Sequence, residues 1–194
     1  SENGDYCYIT GNQVGDSVGF DDIDGGVTSI ISPEYDLSEY NSVLLTYFRW
    51  FTNNLGDNPS SDIFSITISN DGGATWADLE VTNLSNNNWE RKRFVLDDYI
   101  NLTSEVVFKV QAEDIFHEGD FGSGGSLVEA ALDDFRIDII SYNGIIGDIN
   151  NDTDIDVLDI VILINFILDL QIPSNNEFLL SDINNDNLLN VLDV

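Results

Sequence analysis

Basic side chains are nearly missing from this chain: 6 Lys and Arg stand against 36 Asp and Glu in 194 residues, a formal charge of −30. A field of that sign repels phosphate and anionic headgroups, which excludes nucleic acid and anionic membranes as partners and concentrates cations at the surface. Two bound divalent ions would remove only four of those charges. Histidine is almost as scarce. The single residue, His117, has no second histidine to make a zinc spacing, and it reads as a loop residue rather than a base. The lone cysteine, Cys7, excludes an internal disulfide; without a helix start or a cation beside it, it is expected to be a buried, inert thiol. No apolar run reaches the roughly 20 residues of a membrane helix. Methionine is absent, no signal-like segment precedes the first apolar run, and the text stops at Val194, so a processed piece of a longer product is expected.

What is present is a β pattern. The 42% hydrophobic content rules out wholesale disorder. From Tyr6 to about Ile140, short runs with period two are separated by Gly, Asn and Asp clusters, and no helical period emerges. Strands are expected at Tyr6 to Thr10, Val27 to Ser32, Val43 to Thr52, Ile63 to Ser69, Ala74 to Val81, Trp89 to Leu96, Glu105 to Glu113 and Leu127 to Ile140. That spacing fits a mainly β fold, a two-sheet jelly-roll sandwich, better than a closed barrel. Val106, Phe108, Val110 and Ala112, and likewise Phe64, Ile66 and Ile68, alternate most clearly and should line the core.

Residues 148–159 set oxygen-bearing side chains at loop positions 1, 3, 5, 9 and 12: Asp148, Asn150, Asp152, Asp156 and Asp159. The pattern returns 34 residues later at Asp182, Asn184, Asp186, Asn190 and Asp193. A hard cation needs six to eight oxygens on a tightly curled backbone, and this spacing wraps one calcium ion. Position 6 favours glycine for its left-handed turn, but here it is Thr153 in one loop and Asn187 in the other. Asn tolerates that conformation; a β-branched Thr resists it, so the first loop is expected to be strained or bent differently.

The paired loops resemble dockerin modules, calcium loop-helix segments of secreted bacterial proteins, over residues 147–194. The resemblance implies ligation by the ten side chains above, with the Asp154 and Leu188 carbonyls at position 7. It also implies a small α-helical, EF-hand-like tail whose partner contacts fall at positions 10 and 11, here Val157 with Leu158 and Val191 with Leu192. Such pairs suit a dry interface with a partner or, equally, with the chain's own sandwich. The second loop lacks a following helix within this text, so the tail is expected to be truncated and completed by other support. Val157 to Leu170 is apolar almost all round, which predicts burial on several sides, and Ser141 to Gly147 is too short a join for a free tether.

Two further resemblances concern residues 1–141. Ser69-Asn-Asp71-Gly-Gly73-Ala-Thr75-Trp76 is similar to the Asp-box hairpin, in which Asp71 would accept turn amides, the glycines supply positive φ, and Trp76 packs beneath. Asp22-Ile-Asp24-Gly-Gly-Val-Thr28, Tyr47-Phe-Arg49-Trp50, Asp62-Ile-Phe64 and Ser126 to Ile137 together resemble the MAM-like jelly-roll accessory domain of secreted bacterial proteins. That resemblance implies a structural calcium at Asp133 and Asp134, with Asp24 as partner and Asp21 and Asp22 nearby. Alternation alone places Ala131, Asp133, Phe135, Ile137 and Ile139 on one face, so Asp133 should meet a cation, an arginine such as Arg49, or backbone amides, unless it is simply exposed.

No catalytic constellation stands out, and the chain reads as non-catalytic by itself. The preferred reading is a secreted, extracellular or cell-surface calcium module for adhesion or protein assembly, docking on a cohesin-like module or on neighbouring copies in a filament. The alternative is a carbohydrate-binding module, with Tyr47, Trp50 and Trp89 as an aromatic platform for polysaccharide.

Overall fold

The structure is a computed structural model and describes residues 6–11, 22, 23, 25–56, 58–114, 126–140 and 144–194. Period-two alternation gives eight strands: β1 (Tyr8–Ile9), β2 (Gly26–Ile31), β3 (Val43–Thr52), β4 (Phe64–Ser69), β5 (Ala77–Thr82), β6 (Asn86–Val95), β7 (Val107–Asp114) and β8 (Glu129–Ile139). They form two antiparallel sheets, ordered β1-β8-β3-β6 and β2-β7-β4-β5, which is the jelly-roll order. All eight expected strands are present, with ends shifted by a few residues.

The inner faces meet where alternation placed them. Val43, Leu45, Tyr47 and Phe51 of β3 face Phe64, Ile66 and Ile68 of β4, Val106 just before β7, and Phe108, Val110 and Ala112 of β7 in one continuous core. Aromatic rings fill its middle, with Tyr47 and Phe94 stacked at 6.0 Å and Phe108 edge-on to Phe135 at 5.4 Å. Tyr47 is therefore a core residue and cannot serve an exposed platform, contrary to expectation.

An ionic network runs from the same interior out to the sheet's margin. Arg49, almost fully buried, donates to Glu80 Oε1 at 2.8 Å and also pairs with Glu90, while Tyr47 donates its hydroxyl to Glu80 Oε2 at 2.6 Å. Burial, followed by the Glu80 charge, pushes the Tyr47 phenol well above its usual value. Each charge removed from water here is matched by a partner, without which it would be costly.

β8 departs from strict alternation. Its register against β3 slips between the pairs Thr46↔Arg136 and Phe48↔Asp133, and Asp134 takes φ 48°. The extra residue of this bulge moves the inward face from Ala130 and Leu132 to Phe135 and Ile137. Asp133 consequently does not share a face with Phe135 and Ile137, as simple alternation predicted. Cys7 is exposed rather than buried.

The tail contains α1 (Val157–Ile167) and α2 (Asn175–Ser181), each opened by a capping box, from Asp156 with Asp159 and from Ser174 with Glu177. Its own core is small: Ile149, Leu163 and Phe166, flanked by Ile162, Ile167 and Leu189. The expectation that α1 would be buried on several sides fails, because Val157, Leu158, Ile160, Val161 and Ile164 are all exposed. With one short helix and two loops to pack against, α1 can cover only one stripe.

The tail sits against the outer side of β6 and the end of β8. Arg93 lies over the Phe178 ring at 4.5 Å and donates to the Pro173 carbonyl at 3.3 Å, and Asn175 donates to Asp138 Oδ2 at 3.0 Å. Burial, with repulsion from Arg91 added, brings Arg93 down to about 10. Gly144 nests against Leu180, so close that a Cβ there would stand 2.7 Å from a Leu180 methyl.

Candidate functional site: two oxygen-lined loops

Both loops fold by the same hydrogen bonds. In the first, Asp148 accepts the amides of Asp152 at 3.0 Å and Thr153 at 2.9 Å, Asn150 accepts Asp152 at 2.9 Å, and Asp152 accepts Asp154 at 3.0 Å. In the second, Asp182 accepts Asp186 at 3.1 Å and Asn187 at 2.8 Å, Asn184 accepts Asp186 at 2.9 Å, and Asp186 accepts Leu188 at 2.8 Å. Every bond has its counterpart 34 positions on. The short acceptor side chains draw the chain into successive tight turns, which is what Asp and Asn do at such spacing.

The turns require left-handed backbone at matching places. Asn151 and Asn185 take φ 58° and 56°, and at position 6 Thr153 takes 78° and Asn187 63°. Thr153 thus adopts the conformation that a β-branched residue resists, and the first loop bends as the second does. The loop's own amide bonds hold it there.

Positions 9 and 12 double as helix caps. Asp156 accepts Leu158 N–H and Asn190 accepts Leu192 N–H, while Asp159 and Asp193 each accept amides from the opposite arm of their loop, Ile149 at 2.8 Å and Ile183 at 3.1 Å. The sequence signal for this was the Asp-x-x-Asp and Asn-x-x-Asp spacing, legible as a capping box as well as a ligand pair. Asp148, Asp159, Asp182 and Asp193 are buried; Asn150, Asp152, Asp154, Asp156, Asn184, Asp186 and Leu188 are exposed, and Asn190 is half-buried. Donated amides, that of Asp156 foremost, hold the Asp159 carboxyl below its usual value, whereas burial raises Asp182.

The donor set is oxygen throughout, with alternating carboxylates and amides on a curled backbone, and it fits a hard divalent cation. Among the described residues, no three Asp, Glu, His or Cys side chains already converge as a metal cluster.

The other expected ligands lie apart from the loops. Asp133 Oδ1 accepts the Asp134 amide at 2.8 Å at the β8 bulge, on the outer face of its sheet. Arg49, offered as its counter-charge, is committed to Glu80 and Glu90 instead. Asp21, Asp24 and His117 lie outside the described residues. The Asp71 hairpin is structural as expected: Asp71 accepts from Thr75 N at 2.8 Å, Thr75 Oγ1 at 2.6 Å and Ser69 Oγ at 2.7 Å, bonds led by Thr75 that bring its carboxyl down to about 2.

The pairs at positions 10 and 11 point to solvent: Val157 is 65%, Leu158 54%, Val191 75% and Leu192 72% exposed. They do not pack on the chain's own sandwich. On the outer face of the β1-β8-β3-β6 sheet, Trp50 and Trp89 line one cleft of about 280 Å³ together with Ile9, Thr10, Gly11, Glu129, Ala130 and Ala131.

A tail of two repeated, oxygen-lined loops, each followed by an exposed apolar pair, has the form of a non-catalytic docking module. Residues 146–194 match the dockerin type I domain. Domains of that type bind calcium and a cohesin partner and occur in extracellular or cell-surface proteins. A solved structure described as "Family 16 Carbohydrate Binding Module-2" is 10% identical, over 59% of this chain and 72% of its own, with a TM-score of 0.35, too low to carry ligand or function across. No curated protein sequence matches the chain. Among the described residues, no helix is long and apolar enough to cross a membrane.

Proposed function

We propose that this chain docks its sandwich onto a cohesin partner through the tail, with one calcium ion in each loop. The supporting observation is the repeated hydrogen-bond pattern, which presents Val157 with Leu158 and Val191 with Leu192 as two equivalent exposed apolar pairs. In this reading Asp148, Asn150, Asp152, Asp156 and Asp159, with the Asp154 carbonyl, hold the first ion. Asp182, Asn184, Asp186, Asn190 and Asp193, with the Leu188 carbonyl, hold the second. Bound calcium supplies positive charge that offsets the crowded carboxylates and fixes the turns. The side chains orient the ligand oxygens and cap the segments that carry the apolar pairs.

The sandwich is read as an accessory domain of a secreted bacterial protein, MAM-like in its segments, with a third ion at Asp133, Asp134 and Asp24. Calcium stoichiometry by native mass spectrometry separates these parts: three ions per chain, falling to two in D133N/D134N, supports the sandwich ion, and two in both proteins removes it. Surface plasmon resonance against immobilised cohesins tests docking. Calcium-dependent binding lost in L158D/L192D is expected; silence against cohesins of every type would end the reading. Calcium-dependent self-association in sedimentation would move the partner from a cohesin to a second copy of the chain.

A second reading has its own observation. Trp50 and Trp89 share a cleft with the Glu129 carboxylate, an arrangement that stacks on sugar faces and accepts their hydroxyls. Affinity electrophoresis in neutral polysaccharide gels should retard the chain and lose that effect in W50A and W89A. Equal mobility in all gels would remove the sugar site and leave docking untouched.

A further inference from the structure

The two loops are alike inside and unlike outside. Thr153 is exposed, whereas Asn187, its counterpart, is half-buried against the sandwich. The Asn187 Oδ1 accepts the Val95 amide at 3.4 Å, and its Nδ2 donates to the Tyr99 hydroxyl at 3.4 Å. Both bonds are long, but they join two groups that need partners. β6 is the edge of its sheet, and Val95 N–H is one of its outward amides. Tyr99 follows a 3-10 turn (Leu96–Asp98), packs on the main core and stands edge-on to Phe94 at 5.9 Å. Phe94 in turn stacks on Tyr47, which bonds Glu80. The tip of the second loop therefore rests on a continuous line of packed groups running into the core of the sandwich.

Asn187 reaches Val95 and Tyr99 from a backbone held at φ 63° with its own N–H on Asp182 Oδ2. That conformation is the one the loop needs to aim its oxygens inward. Glycine at this position would allow the same turn but could not span to the sandwich. α2 leads directly into Asp182, and the segment before it carries the Pro173 and Phe178 contacts with Arg93, so the second loop is the one joined to the seam. The first loop, with its turn residue in solvent, is not.

Resting on the reading of the loops as calcium sites, we infer that Asn187 is a coupling residue: an ion in the second loop and the seating of the tail on the sandwich stabilise one and the same turn. Each therefore strengthens the other, as linkage requires. An ion in the first loop has no direct bond to the sandwich and reaches it only through the tail's own packing, where Ile149 meets Leu189. The second loop fixes the direction in which the docking pairs face relative to the sandwich, and the first serves docking alone.

Hydrogen exchange at the Val95 amide, read with calcium and with excess chelator, tests this in the full chain, with ion binding followed in parallel by titration calorimetry. In the wild type, calcium should slow Val95 exchange about tenfold. D148N should leave that response intact and D182N should abolish it. N187G should still bind two ions, yet its Val95 exchange should no longer respond to calcium. Two ions bound with Val95 unresponsive in the wild type, or a full response in N187G, would overturn the coupling while leaving the calcium reading in place. No heat of calcium binding at either loop would remove both.

Discussion

The sandwich and the tail hold themselves together in different ways. In the sandwich, apolar residues of both sheets meet in one core of large aliphatic and aromatic side chains. The tail buries three apolar residues in its own centre and leaves Ile155, Val157, Leu158, Val161, Leu168, Leu170, Val191 and Leu192 in solvent. Burial at about 25 cal/mol per Å² can therefore support the sandwich, while the tail must draw on its loop bonds, its seam and whatever it binds. An exposed apolar surface of that extent on an otherwise highly charged chain is what the proposed docking would cover.

The sharpest break in this comparison is R49A. It leaves the buried Glu80 with only the more distant Lys92, at 3.5 Å, as counter-charge, and should destabilise the sandwich by about 3 kcal/mol in denaturant unfolding. Calcium affinity of the loops should not change. Chelation does the reverse: at an ion concentration 100-fold above the dissociation constant, binding contributes about 2.7 kcal/mol. Its loss should open the tail to proteolysis after residue 141 while the sandwich resists. G144A places a methyl against Leu180 and should loosen the seam by about 1–3 kcal/mol, seen as a lower melting temperature of the tail.

A smaller effect comes from Asp71. Its carboxyl sits near 2 in the fold, below the roughly 3.9 of an unfolded chain. The stabilisation is therefore fully present above about pH 4 and is lost as pH falls through about 2. Melting curves should show a wild-type advantage over D71N at pH 5 that has mostly gone by pH 2. Smallest of all, L158D should leave the unfolding free energy of the isolated chain within about 0.5 kcal/mol of wild type, since Leu158 already faces water, and still abolish docking.

Much of this was legible because period two is robust. Runs such as Phe64, Ile66, Ile68 and Val106, Phe108, Val110 point where they should. The β8 bulge was not, because one inserted residue at Asp134 reverses the face and no local signal announces it. Tyr47 and Trp50 look alike as strand aromatics, but they stand three residues apart on β3, so alternation itself puts one in the core and the other in the outer cleft. In the tail, the spacing of the Asp and Asn side chains announced the two sets of turns that their hydrogen bonds form. Thr153 misled because propensity was weighed without the Asp148 bond that holds it, and α1 misled because an apolar helix was assumed to have neighbours enough to cover it. The role of Asn187 was visible only as a missing glycine; its reach to Val95 and Tyr99 depends on where the tail sits.

If ions in the loops present the docking pairs, cohesin binding measured by calorimetry must differ between calcium and excess chelator. A 1:1 complex in calcium and no heat of binding in chelator is the result expected. Equal affinity in both, or no complex in calcium, would contradict it.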